Sequence, residues 1–338
     1  MTPRPSRRPT MADVGRLAGV SAATVSFVLN PDSDQSISQA TRARVLQAVA
    51  DLGYRPNRAA RVLRRGSSGT LGVVVDESAV ESPVGQILAG AYDAAAAGQH
   101  VLLTMFSGRA TEILATCLET LVSHQVTGVL VLCSGTRTID LPPAAYDVPA
   151  LVVNGLDATG RLPAFVPDDR GGGAAAVATV LAAGHRDIGL LLGRAGVLAT
   201  RDRLAGAQDA VAGFPDARLR VHYGNYYLDS GYALARELLD QPDPPTALVC
   251  GNDRMALGAY LAAGHLGRRI PDDVSVVGYD DTDPGIELLT PPLSTIRLPL
   301  YDMGRAAAAA LLAGTAADLP AATALPCPPV PRGSVGPP

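Results

Sequence analysis

The sequence predicts an α/β protein: a small three-helix head of the helix-turn-helix kind, then two doubly wound parallel-sheet lobes. Three observations predict it. Up to about residue 55 the apolar residues recur only at helical spacing. From Thr70 onward short apolar runs alternate with helical stretches of a dozen or so residues, which means βαβ units and a parallel sheet with helices on both faces. That alternation stops at RLPAFVPDD (161–169) and starts afresh, so it describes two lobes.

The totals allow this architecture. The chain has 338 residues and is 47 % hydrophobic, enough for two or three cores. No run approaches the roughly 18 unbroken apolar residues of a membrane span. The opening MTPRPSRRPT is basic with no apolar segment behind it, so no secretory signal is expected, and the expected location is the cytoplasm. Cys117, Cys133, Cys250 and Cys327 lie far apart, without metal-ligand or disulfide-framework spacing, and are expected as small buried hydrophobes. Neither a metal nor a cofactor is expected. Net charge is −4, which by itself argues against nucleic acid. Its distribution argues the other way: residues 1–66 carry eleven Arg against four Asp, a balance of +7, which leaves −11 on the remainder. A basic head on an acidic body is drawn to phosphate at one end only.

Residues 1–9, rich in Pro and Arg, are expected to be a disordered basic arm. ADVGRLAGVSAATVSFVLN (12–30) follows and organises the chain. Val14 and Leu17 give a first helix its apolar face, Gly19 breaks it, Val20 plugs the turn, and Ser21 is placed to cap a second helix. Val25, Val28 and Leu29 give that helix a buried stripe. Two helices joined around a Gly form the helix-turn-helix pattern, whose second helix enters the DNA major groove. A plain helical hairpin would show the same stripes; the basic stretch that follows argues against it. Ser38 caps a third helix, QATRARVLQAVADLG, with Val45, Leu46, Val49 and Leu52 on one face and Gly53 at its end. Residues 10–55 thus form the head. Segment 56–66 (PNRAARVLRRG) follows as hinge or linker. Eight residues from Asn57 to Arg64 are too few for a stable isolated helix. They are either a basic linker or a helix that folds on DNA with Leu63 wedged into the minor groove.

At this point the residues resemble the lac repressor-like (LacI/GalR) family of bacterial transcription factors. The resemblance rests on ADVGRLAGVSAATVSFVLN, ISQATRARVLQAVADLGYRPNRAARVLRRG, GNDRMALGAY and IPDDVSVVGYDDT followed by TPPLSTIR, in that order, from Thr10 to about Arg332. It implies base-reading residues at Ala22, Ala23 and Phe27. It implies phosphate contacts at Ser21, Thr24, Ser26, Asn30, Ser38, Thr41 and Arg42, and minor-groove residues at Asn57, Ala60 and Leu63. The family usually has Arg where this chain has Phe27. A phenyl ring offers no bidentate pair to guanine, only apolar contact such as with a thymine methyl.

In the lobes, strands are expected at 71–75, 100–106, 128–132, 149–154, 187–192, 219–223, 246–250 and 274–280. Helices are expected at 86–98, 111–124, 170–183, 202–213, 229–239 and 254–264. A last strand STIR and a helix at 300–313 would cross back to the first lobe. The resemblance makes the body one of the periplasmic-binding-protein type, with an N-lobe at 70–164 and 299–322 and a C-lobe at 165–298 and 323–332. The Pro-rich stretch after Pro328 is expected to be disordered, at 333–338 above all, and holds no heptads for a tetramerisation helix.

Ligands of open parallel sheets bind beyond the carboxyl ends of strands. There stand Asp76, Asn154, Asn252, Asp253 and Asp280, with Arg203 one turn into the helix after GRAGVLATRD. The resemblance puts effector contacts at Asp76, Asn154, Arg203, Asn252 and Asp280, and a ring stacked on a sugar at Tyr226, for which core packing is the alternative. Asp253 is expected to cap the helix RMALGAY. Asp168 or Asp169 either caps the helix beginning at Arg170 or meets ligand. Gly171–Gly173 lack the Lys and spacing of a phosphate loop. His185, at a helix end, is read as structural. Leu132 and Leu298 stand where well-known sugar binders of the family are polar. A sugar is the expected effector, with a nucleoside, purine or other small metabolite as the alternative.

The function read from all this is a homodimeric regulator, usually a repressor, on a near-palindromic DNA operator, switched by a small molecule in the cleft. A solute-binding protein shares the two-lobed body but needs an export signal and no basic head. Catalysis is not supported: the chain has no G-x-S-x-G, no metal-ligand cluster and no G-x-G-x-x-G after a strand.

Overall fold

The computed structural model describes residues 9–29, 37–54, 68–76, 84–108 and 110–338. The chain divides into two units, Met1–Ser68 and Gly69–Pro338. The expectations for residues 1–8, Asn30 and segment 56–66, with Asn57, Ala60 and Leu63, lie outside the described residues.

The first unit holds α1 (Met11–Ala18), α2 (Ala22–Val28) and α3 (Gln39–Leu52). Thr10 and Asp13 close a capping box on α1, and the hydroxyls of Ser21 and Ser38 accept from the amides of Thr24 and Thr41. Gly19 and Gly53 end their helices in the left-handed region, at φ +66° and +59°. Val14, Ala18, Val25, Val28, Val45, Ala48 and Tyr54 close the core. Leu17 and Leu46, expected inside, are 55 % and 49 % exposed. The reason is space. Gly15 lets α1 settle against the Val20 carbonyl, where a Cβ would meet it at 2.7 Å. The inward room is then taken by the small side chains Ala18 and Ala48 and by the ring of Tyr54.

The second unit begins with β1 (Thr70–Val75), α4 (Val84–Ala97), β2 (Val101–Phe106), α5 (Thr111–Ser123), β3 (Val129–Leu132), β4 (Thr138–Ile139), β5 (Ala150–Val153), β6 (Leu156–Asp157) and β7 (Ala164–Pro167). It continues with α6 (Asp169–Ala182), β8 (Asp187–Leu192), α7 (Leu198–Val211), β9 (Arg218–Tyr223), α8 (Leu228–Leu239), β10 (Ala247–Cys250), α9 (Asp253–His265) and β11 (Ser275–Val277). Last come β12 (Thr295–Ile296), α10 (Leu300–Ala313), β13 (Ala322–Leu325) and β14 (Pro329–Val330). A six-stranded parallel sheet runs β13-β7-β5-β3-β1-β2, and a four-stranded parallel sheet runs β11-β10-β8-β9. Their central strands are apolar throughout, as sheets covered on both faces require. Helix α10 crosses back, and its Gly304 lies on the backbone of Ile87 in α4. All four cysteines are buried and unpaired. Among the described residues no helix is long and apolar enough to cross a membrane.

Three expectations are corrected. Residues 164–167 form a strand of the first sheet; bounded by prolines and four residues long, they carry no alternation to betray it. With β13 beside it, the six-stranded sheet extends to Pro167 and Leu325, so the boundaries drawn at 164/165 and 322/323 move outward. The tail is not disordered. Strand β14 pairs with β12, and Ser334 is fully buried, donating to the Val276 carbonyl and accepting from the Ser294 amide. Proline-rich chain needs few partners for its backbone, and here it lies along a sheet edge that supplies them.

Candidate functional site

In the first unit, α2 presents Ser21, Ala22, Ala23 and Phe27 to solvent, with Phe27 40 % exposed; Thr24 and Ser26 are half-buried. Ala23 and Phe27, four residues apart, share one face. The Ser21 hydroxyl caps α2 and still lies outside. At the start of α3, Ser38 and Arg42 are exposed and Thr41 is half-buried; Arg42 donates from Nη1 to the Val28 carbonyl at 3.4 Å, tying α3 to the end of α2. A helix N-terminus bearing small side chains and hydroxyls can approach a phosphodiester backbone closely.

In the second unit, the carboxyl ends of the strands collect polar groups that sequence order scatters. Arg203 is 6 % exposed. Its Nε donates to Asp169 at 2.8 Å and its Nη1 to the Gly251 carbonyl at 2.5 Å. The guanidinium lies 3.6 Å over the Tyr279 ring and 3.9 Å from Asp280. Burial alone would make this charge easier to lose; Asp169, Tyr279, Tyr226 and Asp280 together hold its pKa well above the ordinary arginine value. The glycine run makes this possible. Three glycines in a helix ordinarily cost about 1 kcal/mol each against alanine. Here a Cβ on Gly172 would strike the Tyr279 hydroxyl, one on Gly173 the backbone of Arg203, and one on Gly206 the carbonyl of Arg170. Helices α6 and α7 therefore cross backbone to backbone, which seats Arg203 beside Asp169. Within the run, Gly172 admits the Tyr279 hydroxyl and Gly173 the backbone of α7.

Asn154, at φ +60°, donates from Nδ2 to the Cys133 carbonyl at 3.0 Å. Its Oδ1 lies 3.1 Å from the Thr136 hydroxyl, which lies 3.2 Å from Asp169 Oδ2. Asn154, Arg203 and Asp280 are thus gathered through Thr136 and Asp169. Asn252 caps α9 through Oδ1 on the Met255 amide and donates from Nδ2 to the Tyr226 carbonyl. The Tyr226 hydroxyl bonds Thr200 at 2.6 Å, and its ring packs against Gly193, half-buried at the edge of the second core. Asp76 stands apart, accepting from the Ser134 amide at 2.9 Å and from Arg137 Nε at 3.1 Å.

One expectation is corrected and one alternative is decided. The cap of α9 is Asn252, whose backbone is extended (φ −158°, ψ 174°), while Asp253 is already helical. Asp253 turns inward, accepting from the Thr295 hydroxyl at 2.6 Å and the Asp281 amide at 2.8 Å. Asp168 caps α6, and Asp169 is the acid that pairs with Arg203. Leu132 and Leu298 are both buried in the main core. His185 is buried between the hydroxyls of Thr246 and Ser275 and the Gly336 carbonyl, a structural setting, and burial lowers its pKa.

The electrostatics are unusual. Burial pushes the Asp280 and Asp253 carboxyls well above the usual range. Asp253 and Asp169 add repulsion at Asp280, and Arg203 offsets this only in part. Backbone conformation marks the same place. Asn154, Tyr226, Asp280 and Asp281 have φ of +60°, +71°, +113° and +56°, four of the six such non-glycine residues among those described. Residues held there cost free energy and collect at ligand sites. Thr136, Asp169, Thr200 and Tyr279 complete the network. For Asp169 the sequence holds a signal, since of two adjacent acids only one can cap a helix. Thr136 sits in a short polar loop with no periodicity to single it out.

Comparison with known proteins places this geometry. Residues 10–57 match the model of bacterial regulatory proteins of the lacI family, and residues 177–335 match that of a periplasmic binding protein-like domain. The chain is 33 % identical over 310 residues to the ribose operon repressor of Haemophilus influenzae, covering 90 % of this chain and 91 % of the relative. It is 37 % identical over 316 residues to the HTH-type transcriptional regulator CelR of Thermobifida fusca, covering 88 % and 89 %. Among solved structures, the lac repressor dimer bound to operator and the anti-inducer ONPF superposes with a TM-score of 0.83 at 29 % identity, over 98 % of this chain and all of that one. A CelR–cellobiose complex superposes with a TM-score of 0.67 at 32 % identity, over 97 % and all.

Proposed function

The chain belongs to the lacI family of bacterial regulatory proteins, and from that premise we propose that it is a DNA-binding transcriptional repressor controlled by a small neutral metabolite. The head, residues 10–55, reads the major groove. Ala22, Ala23 and Phe27 contact base edges; Ser21, Thr24, Ser26, Asn30, Ser38, Thr41 and Arg42 contact phosphates; Asn57, Ala60 and Leu63 take the minor groove. One head makes few base contacts, so two act together in a homodimer, and twofold symmetry calls for a near-palindromic operator. The effector sits in the cleft on Asn154, Arg203, Asn252 and Asp280, with Asp76 and Tyr226 at its margins. Its differential affinity for two arrangements of the lobes sets the size of the switch.

The observation that supports this reading most strongly is the buried Arg203, whose Nη1 lies 3.9 Å from Asp280 at the carboxyl ends of the second sheet's strands. Fixed donors and acceptors side by side suit vicinal hydroxyls. The ribose operon repressor and the CelR–cellobiose complex support a sugar as the first class to try. Relatives named PurR, 32 % identical for the one from Vibrio parahaemolyticus, keep a purine as the second.

The test is selection of the full chain on randomised duplexes, followed by salt titration of the enriched sequence with and without cellobiose, D-ribose and hypoxanthine. An enriched inverted repeat whose affinity falls steeply with salt is expected. An unenriched pool would overturn the reading.

A further inference from the structure

Asp169 stands where the chain passes from the first sheet to the second lobe, between the end of β7 at Pro167 and the body of α6. Its two oxygens face different lobes. Oδ1 receives Arg203 Nε at 2.8 Å, with the Tyr279 hydroxyl at 3.4 Å, both from the second lobe. Oδ2 receives the hydroxyl of Thr136, from the loop after β3 in the first. Thr136 also reaches Asn154 Oδ1 at 3.1 Å. The Asn154 amide cannot turn over to help, because its Nδ2 is committed to the Cys133 carbonyl. A hydroxyl has one proton. Thr136 therefore stands before two acceptors, Asn154 Oδ1 and Asp169 Oδ2, and cannot serve both at full strength.

We infer that the Thr136 hydroxyl is a one-proton fastener between the lobes, and that Asp169 and Thr136 are positioning residues for the cleft. With the hydroxyl donating to Asp169 Oδ2 the first lobe is tied to the carboxylate that holds Arg203. With the hydroxyl donating to Asn154 Oδ1 instead, that tie is loosened. A ligand hydroxyl donating to Asn154 Oδ1 competes with Thr136 there, turns the Thr136 hydroxyl toward Asp169 Oδ2 and draws the lobes together. An anionic group there would instead face the acceptor oxygen of Asn154 and the carboxylate of Asp169. This last step rests on the cleft being the effector site; the fastener does not, and its test uses no ligand.

Nitroxide labels on Asp140→Cys and Arg194→Cys, both exposed and one in each lobe, report the interlobe distance in the full chain by electron–electron resonance; the four native cysteines are buried and escape labelling. Thr136→Val keeps the shape and removes the proton. It is expected to shift the ratio of short to long distances about fivefold toward long, the factor that a hydrogen bond of ordinary strength carries. Thr136→Ser, which keeps the hydroxyl, is expected to match the parent. A valine variant that superposes on the parent, or a serine variant as open as valine, overturns the inference. Should the valine variant lose its cooperative melt, Thr136→Ala is read against the same two outcomes.

Discussion

The guanidinium of Arg203 lies 3.6 Å above the ring of Tyr279, and both residues are buried. A cation held over an aromatic face and clamped by a carboxylate is fixed on two sides by the fold itself. It is also part of the fold's stability, because its partner Asp169 is 3 % exposed and has no water to fall back on.

Arg203→Ala is therefore expected to do two things. It removes the response of DNA binding to effector, and it leaves Asp169 buried without its ion, at a cost of about 3–5 kcal/mol. Denaturant titration of the full chain reads the second effect. A variant with parental stability would show that the pair contributes nothing. The sequence by itself suggests only the first loss, since it places Arg203 at a cleft and cannot place Asp169 beneath it.

Asp280 carries a pH prediction. Its carboxyl in the folded state titrates above the ordinary 3.8, chiefly through burial. Between that value and its raised one the unfolded chain ionises while the folded chain keeps its proton, so stability falls as pH rises through this window. Asp253 acts in the same sense. Asp280→Asn is expected to shrink, without abolishing, the drop in urea midpoint between pH 5 and pH 8. An undiminished drop would exclude Asp280 as its source.

The C-terminal segment carries a stability prediction. Removing residues 329–338 takes away β14, the two side-chain hydrogen bonds of Ser334 and the pairing of Arg332 with Asp281 and Glu287. Two buried polar groups left unpaired cost about 1–3 kcal/mol each, so a fall in melting midpoint of about 5–10 °C is expected. A loose tail would leave the melt where it was.

Phe27→Ala addresses the head. On the duplex enriched by selection it is expected to lose discrimination at one base pair, at most the roughly 1–3 kcal/mol that a mismatched pair costs, with the salt slope unchanged, because a phenyl ring makes apolar contact and neutralises no phosphate. A uniform loss across sequences, with a shallower slope, would place Phe27 on the backbone instead.

Much of the fold was legible in advance because its signals are local. Ser21, Ser38, Gly19 and Gly53 mark helix ends through bonds reaching three or four residues, and the helices and strands of the lobes announce themselves by period. What periodicity does not reveal depends on closer or longer contact. Leu17 and Leu46 sit at helical spacing, yet Gly15 and Tyr54 decided which residues the small core could admit. Strand β7 was too short to show a period, and the proline-rich tail offered no sign of the strand waiting to pair with it.

The sequence by itself determined the three-helix head, the two parallel-sheet lobes, and the strand ends at which polar residues gather, since caps, turns and periodicity act within one or two turns of chain. Only the tertiary structure decided which of two adjacent acids caps α6 and which holds Arg203, that Asn252 and not Asp253 begins α9, and that Thr136 stands between the lobes. Those choices are made by groups dozens of residues apart in sequence, such as Arg203 and Asp169, that meet only because Gly173 and Gly206 let two helices touch. Burial then gives such a meeting its strength, by removing the water that would otherwise satisfy each partner alone.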